Sequence, residues 1–391
     1  MLIGIVGKPN CGKSTMFKAI TLSPVNIGNY PFVTIEPNKG IGYVRVQCPE
    51  VEFGVKCTPN NAPCYKGNRF VPFEIMDVAG LVPGAHEGRG LGNKFLDDLR
   101  QADAFIHVVD ASGSTDMEGN PVPPGTHDPA KDIRFLEEEI DHWFTKVIRN
   151  NTTKFRNQKK DIKKLAEVLS GLGVKLNQIE KALKEVGLNF EDVDNWKDED
   201  FFKFASKLRK IAKPMVIAAN KMDIPQAKEN IERLKREFPE YEIVPTSAEA
   251  ELALREAADK GLIEYIPGDS GFKIIGELNE KQKKGLEIIR KVLQEWGSTG
   301  VQEVLNKVVL DVLGYIVVFP GGARKLQDSK GRILPDAFLL PPGSTALDFA
   351  YKIHTDLGKN FISAIDVRTK KHVGKDYKLK NRDVIEIVAG K

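Results

Sequence analysis

Only four cysteines occur in 391 residues: Cys11, Cys48, Cys57 and Cys64. That scarcity excludes a fold resting on a disulfide framework. The last three fall in one short stretch but lack the CxxC pairing of most zinc sites. We read them as small, redox-inert side chains, with a zinc site or a disulfide as the alternatives. No run of 18 apolar residues is present, so no membrane span is expected. No leader is expected either, since the apolar run Leu2-Ile3-Gly4-Ile5-Val6 reads as a core strand. No internal repeat stands out. Net charge is only +4, and no DNA partner is expected. These absences describe a cytoplasmic globular protein, long enough for two or three domains. The charge is uneven, however. Residues 313–391 carry 14 Lys/Arg and 8 Asp/Glu, an excess of +6, against −2 for the remainder.

What is present begins with Gly7-Lys8-Pro9-Asn10-Cys11-Gly12-Lys13-Ser14, directly after the first apolar run. Strand, glycine-rich loop and helix in that order make a P-loop. Glycines let backbone N–H groups close around a phosphate, and the helix N-terminus adds partial positive charge. Asn10, Cys11, Gly12, Lys13, Ser14 and Thr15 are therefore the expected phosphate cradle. Lys13 reaches the β- and γ-phosphate oxygens, and the Ser14 hydroxyl suits Mg²⁺.

A second strand-like run, 214–219, ends in Asn220-Lys221-Met222-Asp223. Asp223 can accept two hydrogen bonds from guanine N1–H and its exocyclic amine. Adenine offers no such pair of donors, so the pattern selects GTP over ATP. Asn220 is expected to hold the base edge and the Lys221 stem to cover its face. Ser247-Ala248 follows a further strand, and a backbone N–H near Ala248 is expected on the guanine O6. Between these motifs lies Asp77-Val78-Ala79-Gly80. Asp77 suits a water-mediated Mg²⁺ contact, and Gly80 lets its N–H approach a γ-phosphate. Thr34 is expected to close over Mg²⁺ and the γ-phosphate. Lys13, Thr34 and Gly80 are the candidate catalytic groups.

These strings resemble a translation-factor-class GTPase of the Obg superfamily, its YchF-like branch above all, with some likeness to Drg. The resemblance rests on Gly7 to Thr15, on Tyr30-Pro31-Phe32 through Glu36-Pro37-Asn38, and on Asp77 through Gly92. It covers residues 1–112, about 214–250, and the C-terminal end. One departure concerns the base: YchF proteins typically end the base-reading motif in glutamate, associated with ATP use, where this chain has Asp223. The position of the water-orienting glutamine of Ras-like enzymes holds Leu81, which cannot hydrogen-bond water. Hydrolysis then needs another group; His86, Glu87, Arg89, a backbone carbonyl or a partner are the candidates. Asn10 resembles its counterpart in GTPases that use K⁺ in place of an arginine finger; the alternative is that it only shapes the loop.

Strand-like runs at 2–6, 70–76, 104–110, 214–219 and 242–246 alternate with helical stretches, with 41–46 as an extra edge strand. That is an α/β fold around a mostly parallel sheet. We expect a P-loop GTPase domain over 1–112 and 213–312, and a helical insertion over 113–212. In the insertion Ile133, Leu136, Ile140 and Phe144, and later Phe201, Phe204, Leu208 and Ile211, recur at helical spacing. Its Lys-rich face (Lys154, Lys159, Lys160, Lys163, Lys164) is read as solvated, with RNA contact as the alternative. Residues 251–312 read as continuing helically, with Ile288, Ile289, Val292 and Trp296 as one core stripe. Residues 313–391 resemble a TGS domain, the ubiquitin-like β-grasp module also found in threonyl-tRNA synthetases. Pro342-Gly343-Ser344-Thr345-Ala346 and Ile353-His354-Thr355-Asp356-Leu357 carry that likeness. A helix is expected from Ser344 or Thr345 to about Leu357, and His354 is read as packing or capping. The cluster Arg368, Lys370, Lys371, Lys375, Lys378, Lys380 and Arg382 suits phosphate contacts on RNA or the ribosome, though no aromatic platform is interleaved; a merely solvated surface is the alternative.

The reading is a Mg²⁺-dependent GTPase, K⁺ being a candidate second ion, that switches between GTP and GDP states on a ribosome or other RNA. The rivals are a nucleotide-gated binding module with negligible turnover and a YchF-type ATPase. A synthetase-like enzyme, suggested by the TGS likeness alone, has no accompanying motif.

Overall fold

The computed structural model describes residues 1–22, 38–78, 98–152, 161–328 and 330–390. Strands β1 (Leu2–Val6), β2 (Lys39–Gln47), β3 (Cys64–Tyr65), β4 (Asn68–Asp77), β5 (Ala104–Asp110), β6 (Met215–Asn220) and β7 (Glu242–Pro245) share one sheet. Their order is β2-β4-β1-β5-β6-β7, with β3 paired to β4. β4, β1, β5, β6 and β7 run parallel. β2 is the antiparallel edge strand, in register with β4 from Lys39↔Met76 to Gln47↔Asn68. A parallel sheet is covered on both faces, so its strands need apolar residues at every position. β5 and β6 are buried along their whole length.

The crossover from β5 to β6 holds α3 (Pro129–Thr152), α4 (Ile162–Leu169), α5 (Leu176–Val186) and α6 (Asp198–Ala212), after α1 (Lys13–Thr21) and α2 (Pro49–Phe53) earlier in the chain. Ile133, Leu136, Ile140 and Phe144 of α3 are buried, as are Phe201, Phe204 and Leu208 of α6. They join one apolar cluster with Val6, Phe105 and Val109 of the sheet. The insertion is therefore rooted in the sheet's own core. Arg209 of α6, 1% exposed, binds Asp141 at 2.8 Å and Glu137 at 3.1 Å on α3. Such a pair fixes how the two helices register, because breaking it strands a buried charge.

The stretch after β7 is less helical than its composition implied. Beyond α7 (Gln226–Glu237), which lies between β6 and β7, α8 (Ala248–Asp259) is followed by an extended segment with two paired strands, β8 (Ile263–Glu264) and β9 (Lys273–Ile274). Pro267, Gly268, Gly271 and Gly276 interrupt any helix there. α9 (Glu280–Trp296) buries Ile289 and Val292, whereas Ile288 is 63% exposed and lies off the core stripe. α10 (Val301–Asn306) then leads to the C-terminal unit.

That unit is a β-grasp fold: β10 (Ile316–Pro320), β11 (Phe338–Leu340), β12 (Phe361–Asp366), β13 (Lys371–Val373) and β14 (Val384–Ala389), ordered β11-β10-β14-β12-β13. The expected single helix is two, α11 (Ala346–Ile353) and α12 (Thr355–Lys359). Thr345 caps the first in a capping box with Asp348, and His354 breaks into extended backbone and caps the second. An apolar cluster runs from Ile5 and Met16 through α10 to Phe319, Leu334 and Val384, so the unit shares a core with the sheet.

Candidate nucleotide site

Every described candidate residue lies at the carboxyl edge of the parallel strands, where such sheets collect ligands. β1 ends at Val6 and the loop 7–12 turns into α1. Gly12 has φ +98, and a Cβ there would come within 2.1 Å of Asn220 Nδ2. Glycine is required on both counts. Lys13 Nζ bonds Asp77 Oδ1 at 2.7 Å, and Ser14 Oγ donates to Asp77 Oδ2 at 3.3 Å. The expected phosphate lysine and helix hydroxyl, both in the first turn of α1, thus converge on the carboxylate at the end of β4. Thr15 follows in the first turn of α1. Burial pushes the Cys11 thiol up to about 11, so the side chain is a neutral filler and its carbonyl is the active part.

Asn220, 3% exposed at its residue level, ties three segments together. Its Nδ2 donates to the Cys11 carbonyl at 2.9 Å, and its Oδ1 accepts from Ala248 N at 3.0 Å and Thr246 Oγ1 at 3.3 Å. The carboxamide expected on the base edge therefore welds the phosphate loop to the 246–248 turn. The Ala248 N–H expected on guanine O6 is the donor of that weld, because a buried amide oxygen needs one. Ser247 caps α8 by accepting from Ala250 N at 3.3 Å. Asp223 is exposed just past the buried Met222.

Lys221 sits at φ +63, a backbone state that costs a non-glycine residue free energy and is found at functional turns. Its Nζ bonds Asp110 Oδ2 at 2.8 Å and Ser114 Oγ at 3.1 Å. Asp110 is wholly buried and also accepts from Ser112 Oγ and Thr115 Oγ1. Burial opposes its charge, but the bonds from Lys221, Ser112 and Thr115 outweigh it and hold the carboxyl below the usual range. Sequence reading passed over Asp110; its place at the end of β5, level with Asn220 in the β5–β6 register, was the available signal.

Lys8 was missed as well. It is 5% exposed, and its Nζ bonds Asp132 Oδ2 of α3 at 2.8 Å and the Thr115 carbonyl at 2.9 Å. Asp132 also bonds His127 Nε2 at 2.8 Å. Asn10, at φ +59, donates Nδ2 to the Gly119 carbonyl at 2.9 Å. The phosphate loop is thus fastened to the root of the helical insertion at two points. Thr34, Gly80, Leu81, His86, Glu87 and Arg89 lie outside the described residues, as do Lys154, Lys159 and Lys160.

The basic C-terminal cluster divides. Arg368 forks onto Glu52 at 2.7 and 2.9 Å, and Arg382 Nε donates to the Gln47 carbonyl at 3.0 Å. Both face the sheet domain. Lys370, Lys371, Lys375, Lys378 and Lys380 are exposed.

Three family descriptions match the chain: a 50S ribosome-binding GTPase over residues 2–153, an Obg-like GTPase YGR210-like G4 motif-containing domain over 218–321, and a TGS domain over 317–389. A GTP-binding protein of Methanocaldococcus jannaschii is 52% identical over 99% of each chain. The ribosome-binding ATPase YchF of Pasteurella multocida is 30% identical, over 92% of this chain and 86% of that one. The crystal structure of a GTP binding protein from Pyrococcus horikoshii OT3 matches with a TM-score of 0.80 and 42% identity over 100% of both chains. The chain belongs to the YchF-like branch of the Obg family of P-loop GTP-binding proteins and carries a C-terminal TGS domain.

Proposed function

We propose that this chain binds GTP with Mg²⁺, hydrolyses it to GDP and phosphate, and acts as a nucleotide-controlled switch on the ribosome or another RNA. One observation carries the pocket: Asn220 joins the Cys11 carbonyl to the Ala248 N–H, so phosphate loop and base-reading loop belong to one site. In this reading Gly12, Lys13, Ser14 and Thr15 hold phosphates, and Lys13 passes its charge from Asp77 to the β- and γ-oxygens. Asp223 reads guanine, with Lys221, Ser247 and Ala248 framing the base. Thr34 and Gly80 close on the γ-phosphate.

The donor set fits Mg²⁺, since Ser14 Oγ and Asp77 Oδ2 are hard oxygens 3.3 Å apart beside an ammonium group. Ser14, Asp77 and Thr34 would hold the ion, which when bound offsets phosphate charge. Asn10 keeps Oδ1 as an oxygen ligand for K⁺ while Nδ2 shapes the loop through Gly119. We expect turnover to be faster in K⁺ than in Na⁺ at equal ionic strength. Equal rates leave Asn10 with the loop-shaping role alone.

Asp223 supports GTP, as does the GTP-binding name of the M. jannaschii relative. The ATPase name of the P. multocida relative supports the second reading. Competition binding decides: ATP displacing labelled GDP as well as GTP does would overturn the guanine reading. Single-turnover hydrolysis tests the binding-module reading that Leu81 motivates.

The Lys8–Asp132 and Asn10–Gly119 contacts give the nucleotide pocket a physical route to the 113–212 insertion. The exposed lysines of the 313–391 module suit phosphate backbones. Sedimentation with ribosomal particles tests the partner; binding should differ between GDP and a non-hydrolysable GTP analogue, and equal pelleting in both states contradicts a switch.

A further inference from the structure

Three cysteines that look scattered in sequence meet in space. Cys48 follows β2 directly as the N-cap of α2, Cys57 lies in the following loop, and Cys64 starts β3. Their sulfurs and a carboxylate oxygen of Glu50 all lie within 4.8 Å of one another. All four cysteines are free thiols. Cys48, Cys57 and Glu50 are buried, at 0%, 6% and 5% exposure. Glu50 Oε2 accepts from Cys57 N at 2.7 Å, and Cys64 Sγ donates to Glu50 Oε1 at 3.4 Å. Among the described residues no Lys, Arg or His side chain ion-pairs with Glu50. A buried carboxylate held by one backbone N–H and a weak thiol donor lacks a matching counter-charge.

We propose that Cys48, Cys57, Cys64 and Glu50 bind one zinc ion, and that this ion clamps the 48–64 segment under the C-terminal β-grasp module. Three thiolates and one carboxylate are a tetrahedral zinc donor set. At Zn–S distances of about 2.3 Å the sulfurs of such a tetrahedron stand about 3.8 Å apart, so a small inward movement of the side chains closes it. The soft sulfurs exclude Mg²⁺ and Ca²⁺. The outer support is in place: the Cys57 N–H orients Glu50, and Arg69 Nη2 lies 3.6 Å from Cys48 Sγ. Four anionic ligands around a divalent ion leave a charge near −2, which the buried Arg69 guanidinium offsets in part.

The loop between Cys57 and Cys64 docks against the module. Thr58 N donates to the Ile333 carbonyl at 2.8 Å and Asn60 N to the Pro335 carbonyl at 2.7 Å. Asn61 exchanges bonds with Ala337, and Arg69 Nη2 donates to the Leu334 carbonyl at 2.7 Å. Zinc on Cys57 and Cys64 would pin both ends of that loop, making the ion a structural part of the joint between the sheet and the module.

The test uses the full chain, purified in reductant without chelator. Metal analysis by plasma mass spectrometry should return about one zinc per chain, falling at least tenfold in the Cys57→Ser/Cys64→Ser variant. Because that variant could misfold, wild type is also stripped and loaded with Co²⁺. Thiolate-to-cobalt charge-transfer absorption with intense tetrahedral d–d bands is expected. After zinc removal, amide exchange at Thr58 and Asn60 should quicken at least tenfold while GDP binding persists. Wild type that retains no zinc after loading and gel filtration, holds iron instead, loses its thiols to a disulfide in reductant, or gives Co²⁺ spectra without thiolate bands overturns the site. Exchange at Thr58 and Asn60 indifferent to zinc overturns the clamp.

Discussion

Asp223→Ala should weaken GTP and GDP binding roughly 100-fold while leaving any binding of ATP within about threefold of wild type. A carboxylate accepting two hydrogen bonds is worth about 1.5–3 kcal/mol per bond, and each 1.4 kcal/mol is tenfold in affinity. Asp223 is exposed, which sets the effect at the lower end of that range. For the same reason the fold should not notice: a surface substitution away from caps and buried pairs stays within about 0.5 kcal/mol. The expected pattern is selectivity lost with melting temperature kept. A second variant separates base reading from general damage. Asp223→Asn turns one acceptor into a donor, which mismatches the amine of guanine and suits the carbonyl that xanthine carries there. That variant should lose GTP and gain xanthosine triphosphate, measured by competition against a labelled nucleotide. An Asp223→Ala protein that still prefers GTP over ATP by the wild-type factor would remove Asp223 from base recognition.

What the sequence disclosed was chemistry written in one contiguous string. The loop 7–14 has the shape its glycines dictate, Asp77 lies at the end of its strand, and the buried faces of α3 and α6 follow their helical spacing. What it hid were partners far apart in the chain. Lys8 is an unspecified position of its motif, yet it is buried because Asp132, on a helix more than a hundred residues later, receives it. Asp110 reads as the last residue of a strand and becomes the counter-charge of Lys221. Cys48, Cys57 and Cys64 failed the CxxC test because their convergence comes from the β2 and β3–β4 pairings rather than from a local knuckle. Arg368 and Arg382 read as members of a phosphate-contacting cluster and instead face Glu52 and Gln47. In each case the residue type was informative and the partner lay in another element.

Asn220→Ala should damage both nucleotide binding and the fold, unlike either change at Asp223. Alanine removes the donor to the Cys11 carbonyl and the acceptor for Ala248 N and Thr246 Oγ1. Each buried group left without a partner costs about 1–3 kcal/mol, so a loss of roughly 3–5 kcal/mol is expected, a large part of a typical stability of about 5–15 kcal/mol. At about 2–4 °C per kcal/mol for a domain of this size, the melting temperature should fall by about 10 °C. GTP affinity should fall by more than 100-fold, because the phosphate loop loses its tie to the base-reading turn. Gly12 supplies an internal check. Its missing Cβ is the space that Asn220 Nδ2 occupies. Gly12→Ala should therefore cost less stability in the Asn220→Ala background than in wild type, a coupling that thermal or denaturant unfolding of the four proteins of the cycle measures. The left-handed backbone at Gly12 keeps part of the penalty in both backgrounds, so the coupling should be partial. Strictly additive penalties would mean that Asn220 does not set the shape of the phosphate loop, and the shared pocket would lose its central contact.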